Sequence, residues 1–408
     1  MLEMAARQEP VLAGLSVCIA GGSLGGLTAA LLLRDLGAEV TVYERSEFEL
    51  EQRGAGIGFL PDSARYLVER LGRDLDEIST STDLIRYLHR DGTVAHEIDH
   101  RYHFSSWNTV YRHLLDAFDR DRYVLGAEVT GRTEDCDGVE VHFADGRRVQ
   151  AELLVCADGV GSGFRQQLLP DVERTYAGYV AWRGMVPESD LDDAVAASLV
   201  DAITYHVYAN SHILVYPIPG LDGSVATGER LINFVWYRNY LAGDDLADVL
   251  VDRNGVAREI SLPPGTARAD HVAEVHATAR ARLPRVIAEA VCAVDDPFLQ
   301  VVYDVEIDKM AFGRTCLVGD AGFVGRPHMA AGTAKAAANA WALADALATT
   351  IGAGGNVPEA LAAWEPGQLE LGRQLVERSR RVGERSQVSG TWDPTDRDLL
   401  FRLRAEEP

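Results

Sequence analysis

Leu15-Ser16-Val17-Cys18-Ile19-Ala20-Gly21-Gly22-Ser23-Leu24-Gly25-Gly26 passes from a short apolar run through clustered glycines into a helical pattern reaching Leu36, which Gly37 can cap. Glu39-Val40-Thr41-Val42-Tyr43-Glu44 then reads as a second strand. Strand, helix and strand in that order predict a right-handed crossover between parallel strands. Glycines at such a turn let backbone approach a pyrophosphate, whose charge is favoured by the free N–H groups and dipole of the helix start. Gly21, Gly22, Ser23, Leu24 and Gly26 are therefore candidate cofactor-binding residues. Glu44 lies eighteen residues after Gly26 and ends the second strand, where a carboxylate can accept hydrogen bonds from a ribose hydroxyl. It favours a free 2′-hydroxyl over a 2′-phosphate, hence FAD or NAD over NADP. Ser23 replaces the second glycine of the usual G-x-G-x-x-G pattern, and a purely structural glycine turn is the competing reading.

Working outward, 408 residues with 47% hydrophobic and 25% charged content can bury a large core and suggest two structural units. The net charge of -23 argues against nucleic acid and anionic membrane as partners. The five cysteines show no C-x-x-C spacing, so neither a disulfide framework nor a metal site is expected, and Cys18, Cys156 and Cys316 read as core residues. Met1 to Pro10 has no signal-peptide character and no charge-free apolar run reaches membrane-spanning length, which predicts a cytoplasmic protein.

From Val129 to Val155 the apolar period becomes 2, with Asp137-Gly138 and Asp145-Gly146 marking hairpin turns. Leu153-Leu154-Val155 reads as a return to the buried parallel sheet. Extended runs at 203–207, 212–216 and 231–237, rich in aromatic and β-branched residues, predict a mostly antiparallel second unit. Strand signals from Leu299 to Val318 lead back to the first unit, and Ala334 to Thr349 is a helix of small residues. The expected fold is α/β: a discontinuous Rossmann-like domain with a parallel sheet and a β-meander (12–82, 105–172 and 296–385), a mostly antiparallel β-sheet substrate domain (83–104 and 173–295), and a polar tail (386–408).

Two further segments share one form, an apolar strand followed by a small residue and an aspartate: Leu153 to Asp158-Gly159, and Thr315 to Gly319-Asp320. An aspartate at a strand end can bond a ribityl hydroxyl while small neighbours let a cofactor lie against backbone. Either aspartate alone is equally a turn or a helix cap. Beyond Asp320, Pro327 and Ala330-Ala331-Gly332-Thr333 precede the small-residue helix, whose start suits an anionic reduced flavin ring. The three motifs in this order point to FAD.

This order resembles the single-component FAD-dependent aromatic hydroxylases of the p-hydroxybenzoate hydroxylase family over roughly residues 14 to 385. Thr175-Tyr176-Ala177-Gly178-Tyr179, Trp182-Arg183-Gly184, Tyr216-Pro217-Ile218-Pro219-Gly220 and Arg326-Pro327-His328 are similar to its dihydroxypyridine branch. Phe323 stands where the wider family has histidine, Asn339 where it has aspartate, and Cys156 where it has glycine. The resemblance implies that Gly21 to Gly26 hold the FAD pyrophosphate and that Glu44, with Arg45 beside it, meets the adenosine ribose. It further implies that Arg112 reaches phosphate or ribityl, that Arg53 to Gly58, including Gly56, lies along the flavin, and that Val129, Asp158, Gly159, Gly319 and Asp320 complete the cofactor site. Pro327, Ala331, Gly332, Thr333 and Ala334 would border the ring system. It also implies a homodimer, and NADH or NADPH as a transient reductant without a nucleotide fold of its own.

The implied reaction is hydroxylation of an electron-rich aromatic or N-heteroaromatic ring, of hydroxypyridine or phenol type, with O2 through a flavin C4a-hydroperoxide. Epoxidation, Baeyer-Villiger oxidation and a non-catalytic flavin-binding redox sensor are the competing functions. A hydroxylated ring attacks better as its anion, so an acceptor near it is expected. His212, Tyr216, Pro327 and His328 are the candidate catalytic residues. Tyr205 and Trp236, on aromatic-rich strands, are candidate substrate contacts, each with ordinary strand packing as the competing reading.

Overall fold

A computed structural model describes residues 10–50 and 55–406. Ser16–Ala20 sits inside a six-stranded sheet, paired in parallel with Glu39–Tyr43 on one side and Leu153–Cys156 on the other. Thr315–Leu317 continues the parallel array beyond Leu153–Cys156, and Tyr123–Val124 extends the opposite edge. The helix Leu24–Asp35 is buried nearly all round, because the sheet covers one side and the helix Gly332–Gly352 the other. Small residues permit that approach: a Cβ at Gly25 would come within 3.1 Å of the Ala336 methyl. Val129–Glu134, Val139–Phe143 and Arg148–Ala151 form the separate three-stranded meander, with hairpin turns at the two Asp-Gly pairs.

The second sheet has nine strands and is antiparallel except where Thr80–Leu88 runs parallel to Ala202–Tyr208. Three of its strands, Thr175–Pro187, Leu231–Asn239 and Ser211–Ile218, lie side by side and carry the site. Side chains alternate between the faces. Trp182, Ile213, Val215, Phe234 and Trp236 point to one face, where they are covered by Val275 and Ala279 of the helix Ala269–Arg282 and by Ile287 and Val291 of Arg285–Cys292. Tyr179, Ala181, Leu214, Tyr216, Val235 and Tyr237 point to the other, toward Met329, Ala331 and Ala334 of the first unit. Burying each large apolar side chain there is worth about 1.5–3 kcal/mol.

Three arrangements differ from the sequence expectation, the first being that Phe298–Asp304, expected in the first unit, pairs antiparallel with Thr175–Pro187 in the nine-stranded sheet. Gly56–Gly58 pairs with the strand Val94–Ser106, so the loop expected along the flavin is also the edge strand of the second sheet. The described part of the expected polar tail, 386–406, is packed onto the second sheet. Leu399, Phe401 and Leu403 are buried in the second sheet's core, Phe401 stacks on Tyr102 at 4.9 Å, and Trp392 packs against His212 at 4.8 Å. Its apolar residues are spaced too sparsely to show a period, which hid their burial from pattern reading. Among the described residues, no helix is long and apolar enough to cross a membrane.

Candidate active site

The first cavity, about 360 Å³, opens where Ser16–Ala20 ends. Its walls include Gly21, Ser23, Glu44, Arg45, Val129, Asp158 and Gly159, which brings together candidates from four separate segments, and Trp107, which the sequence reading missed. Gly21 has φ +107°, and a Cβ there would overlap the Ala157 carbonyl. A Cβ on Gly26 would overlap the Gly21 oxygen, so Gly26 lets the helix seat on the turn. Gly22 is held from both sides: its N–H donates to Glu44 Oε2 at 2.9 Å and its carbonyl accepts from the Tyr123 hydroxyl at 2.9 Å. Glu44 Oε1 accepts from the Ser46 N–H at 2.9 Å. Leu24, Gly22 and Gly26 thus shape the turn from behind. Asp158 carries a buried Oδ1 with no protein partner beside this cradle, a place for a ribityl or phosphate-bound donor. Arg112 is exposed on the helix Trp107–Ala117, with Nη1 3.5 Å from the Leu221 oxygen, and Arg53 lies outside the described residues.

Arg165 joins the second and third motifs. It is buried, and its Nη1 donates to the carbonyls of Asp320 at 2.9 Å and Ala321 at 3.0 Å, while Nη2 reaches Val160. Asn339 accepts from the Gly319 N–H at 2.9 Å and donates to Gln368 at 2.9 Å, fixing the φ +61° turn at Gly319. The amide therefore suits both partners, where an ionised aspartate could only accept. Lys335, 2% exposed in its side chain, donates to Asp320 Oδ1 at 2.7 Å and to the Phe323 carbonyl.

The second cavity, about 230 Å³, lies between the sheets. Asp320, Pro327, Ala331, Gly332 and Thr333 line it from the first unit, and Gly56, Arg183, Leu214, Tyr216, Val235, Tyr237 and Gln300 from the second sheet. Phe401 closes one part of it. Ala334 is fully buried just behind. The helix Gly332–Gly352 starts here with no side-chain cap, so its first N–H groups stay available to an anionic ring edge. The loop before it is fixed by a buried ion pair: Arg326 donates to Asp304 at 2.9–3.2 Å, and Arg380 adds a bond at 3.2 Å.

Of the candidate catalytic and substrate residues, Tyr216 and Pro327 reach this cavity. Trp236 does not: it is one residue out of phase with Val235 and Tyr237, lies on the helix-covered face, and donates to Ser211 at 3.0 Å. Aromatic enrichment pointed to the right strand but the wrong face, and strand parity would have selected Tyr237. Tyr205 has the right face but lies one strand too far, stacking on Tyr87 at 5.0 Å and lining a separate cavity with Asp396 and Arg397. His212 and His328 meet the wall through Tyr237, whose ring lies 4.6 and 4.5 Å from theirs. His212 Nδ1 is 3.1 Å from the Gln387 amide, and His328 Nε2 is 2.7 Å from the Tyr179 hydroxyl. Burial pushes His212 down to about 3 and holds His328 well below the usual histidine range, so both are neutral at physiological pH. Burial also raises the Tyr216 hydroxyl, against the opposing influence of Arg183 and Asn233, and keeps it a neutral donor.

A family model described as FAD binding domain-like matches residues 176–304. The chain is 34% identical over 394 residues to 2,6-dihydroxypyridine 3-monooxygenase of Paenarthrobacter nicotinovorans, covering 96% of this chain and 97% of that protein. It belongs to the FAD-dependent aromatic hydroxylases. This hydroxylase superposes on the structure of 2,6-dihydroxypyridine-3-hydroxylase from Arthrobacter nicotinovorans with a TM-score of 0.90 and 32% identity, over 96% of this chain and 98% of the other. It is also 26% identical to the FAD-dependent urate hydroxylase of Klebsiella pneumoniae over 408 residues, with 92% of each chain covered. The hydroxylase is thus an FAD enzyme with NAD(P)H as reductant, and the glycine cradle and the unpartnered Asp158 oxygen fit that cofactor.

Proposed function

We propose that this hydroxylase inserts oxygen into a small hydroxylated N-heteroaromatic ring of the hydroxypyridine type, with phenols as the neighbouring class. The observation that carries the reading is the 230 Å³ cavity, which meets the Pro327 to Thr333 ring-binding loop on one side and Tyr216 and Tyr237 on the other. FAD, when bound, supplies the hydride acceptance and oxygen activation. The chain's own contribution is positional. Leu214, Val235, Tyr237 and Phe401 provide apolar walls that exclude water and hold a flat ring. Tyr216, kept neutral by burial, offers a donor to a ring oxygen. His212 and His328 act as positioning residues, holding Tyr237 by ring contact rather than touching substrate.

The similarity to the Paenarthrobacter enzyme supports hydroxypyridines over other rings. The test is substrate-stimulated NAD(P)H oxidation by the FAD-loaded protein, screened over hydroxypyridines and phenols with mass analysis. The expected product gains one oxygen atom. Consumption of reductant with no oxygen in any ring would overturn the reading. A homodimer, supported by the family resemblance, is a separate proposal that light scattering would test.

A further inference from the structure

Arg183 is the cation of this cavity whose charge is answered by no carboxylate among the described residues. Three cationic side chains line it, and two are committed elsewhere. Arg326 is bound to Asp304 at 2.9 Å, and Lys335 to Asp320 at 2.7 Å. Arg183 instead donates from Nη1 to the Gln300 side-chain oxygen at 3.0 Å and from Nη2 to the Gly56 carbonyl, both neutral acceptors, and its buried Nε has no partner. Strand parity turns it, with Ala181, toward the cavity. Beside it, Asn233 is fully buried and accepts from the Gly56 N–H at 3.0 Å, which leaves its Nδ2 donor unpartnered. A guanidinium charge met only by neutral acceptors, with its Nε and a neighbouring amide donor unpartnered, is costly to bury unless a ligand supplies the acceptor. In a chain of net charge -23 this is also a rare positive point facing a substrate-sized cavity.

We propose that Arg183, whose Nη2 and the buried Asn233 amide meet at Gly56, is the anion-recognition site of the ring cavity and selects substrates carrying an ionised ring hydroxyl. A delocalised oxyanion matches the fixed donor geometry of guanidinium. Binding there also holds the ring as the anion, the form that attacks electrophilic oxygen. The proposal rests on the ring-hydroxylation reading above and narrows its substrate class.

The experiment measures ring affinity by perturbation of the flavin absorbance in FAD-loaded wild type, Arg183→Gln and Arg183→Lys. The probes are an ionised dihydroxypyridine and the di-O-methyl ether of the same ring, which has no hydroxyl to ionise. Losing a charge-assisted hydrogen bond should weaken the ionised ring about 10- to 100-fold in Arg183→Gln. The ether should lose little, Arg183→Lys should recover part of the affinity, and flavin content should match wild type. Equal weakening of ionised ring and ether would overturn the proposal by assigning Arg183 to holding the Gly56 strand. A parallel loss of flavin would overturn it by assigning the cation to the cofactor. If wild type responds to neither ring nor to any phenol, the ring-hydroxylation reading itself falls.

Discussion

The two cavities differ in how their walls are fixed. Around the first, the glycine turn sets the surface: a Cβ at Gly21 would overlap the Ala157 carbonyl. Around the ring end the surface is side chain, with Arg183, Leu214, Tyr216, Val235 and Tyr237 drawn from three strands and Phe401 from near the end of the chain. Gly21 and Gly26 tolerate no added Cβ, whereas a side-chain wall can change shape while the strands beneath it stay put. One fold can therefore keep a cofactor and change its substrate.

This contrast can be broken in several ways. The strongest is Gly26→Ala: the new methyl would overlap the Gly21 oxygen, so the purified protein should carry essentially no flavin by its visible absorbance. A normally yellow Gly26→Ala protein would refute the rigid-cradle account. Next, Asp304→Ala removes the acceptor of Arg326 at the junction of the cavities, leaving a buried cation, and should cost about 3–5 kcal/mol in chemical denaturation.

His212 tests the interior of the ring side by acid. Its native value of about 3 lies below its ordinary 6.5, so the unfolded chain takes up a proton that the native one refuses. Stability is therefore full above pH 6.5 and falls as pH drops toward 3, by about 1.4 kcal/mol per unit for this group, or about 2 kcal/mol at pH 5. His212→Asn should flatten that part of the stability profile; an unchanged slope would show that His212 is solvated. Smallest is Leu214→Ala, which should alter preference between ring substituents about tenfold while flavin content holds. Flavin loss in that variant would mean the two walls are not separable.

The same contrast explains what could be read in the sequence. Gly21, Glu44, Asp158 and Asp320 were legible because a main-chain cradle needs glycine and a strand-end acid at fixed spacing, and the strand-helix-strand order located them. Tyr216 was legible through aromatic enrichment and parity with His212. Trp236 and Tyr205 show the limit: composition finds a strand, but face and strand order depend on pairings such as Ser211–Ile218 with Leu231–Asn239 that no local pattern encodes. Arg183 lay in a noticed motif without a visible role, since its significance comes from carboxylates that are elsewhere. Phe401 was missed because its partner Tyr102 is 299 residues away.

The order of strands in the six-stranded sheet has a consequence for biosynthesis. Leu153–Cys156 pairs with Ser16–Ala20 on one side and with Thr315–Leu317 on the other, so one neighbour emerges early from the ribosome and the other more than 150 residues later. The turn at Gly319-Asp320, whose Asp320 lines the ring cavity, cannot exist before then. Such distant pairings fold slowly and leave apolar edges exposed meanwhile. Nascent chains of this hydroxylase therefore cannot close the parallel sheet until most of the polypeptide has been made.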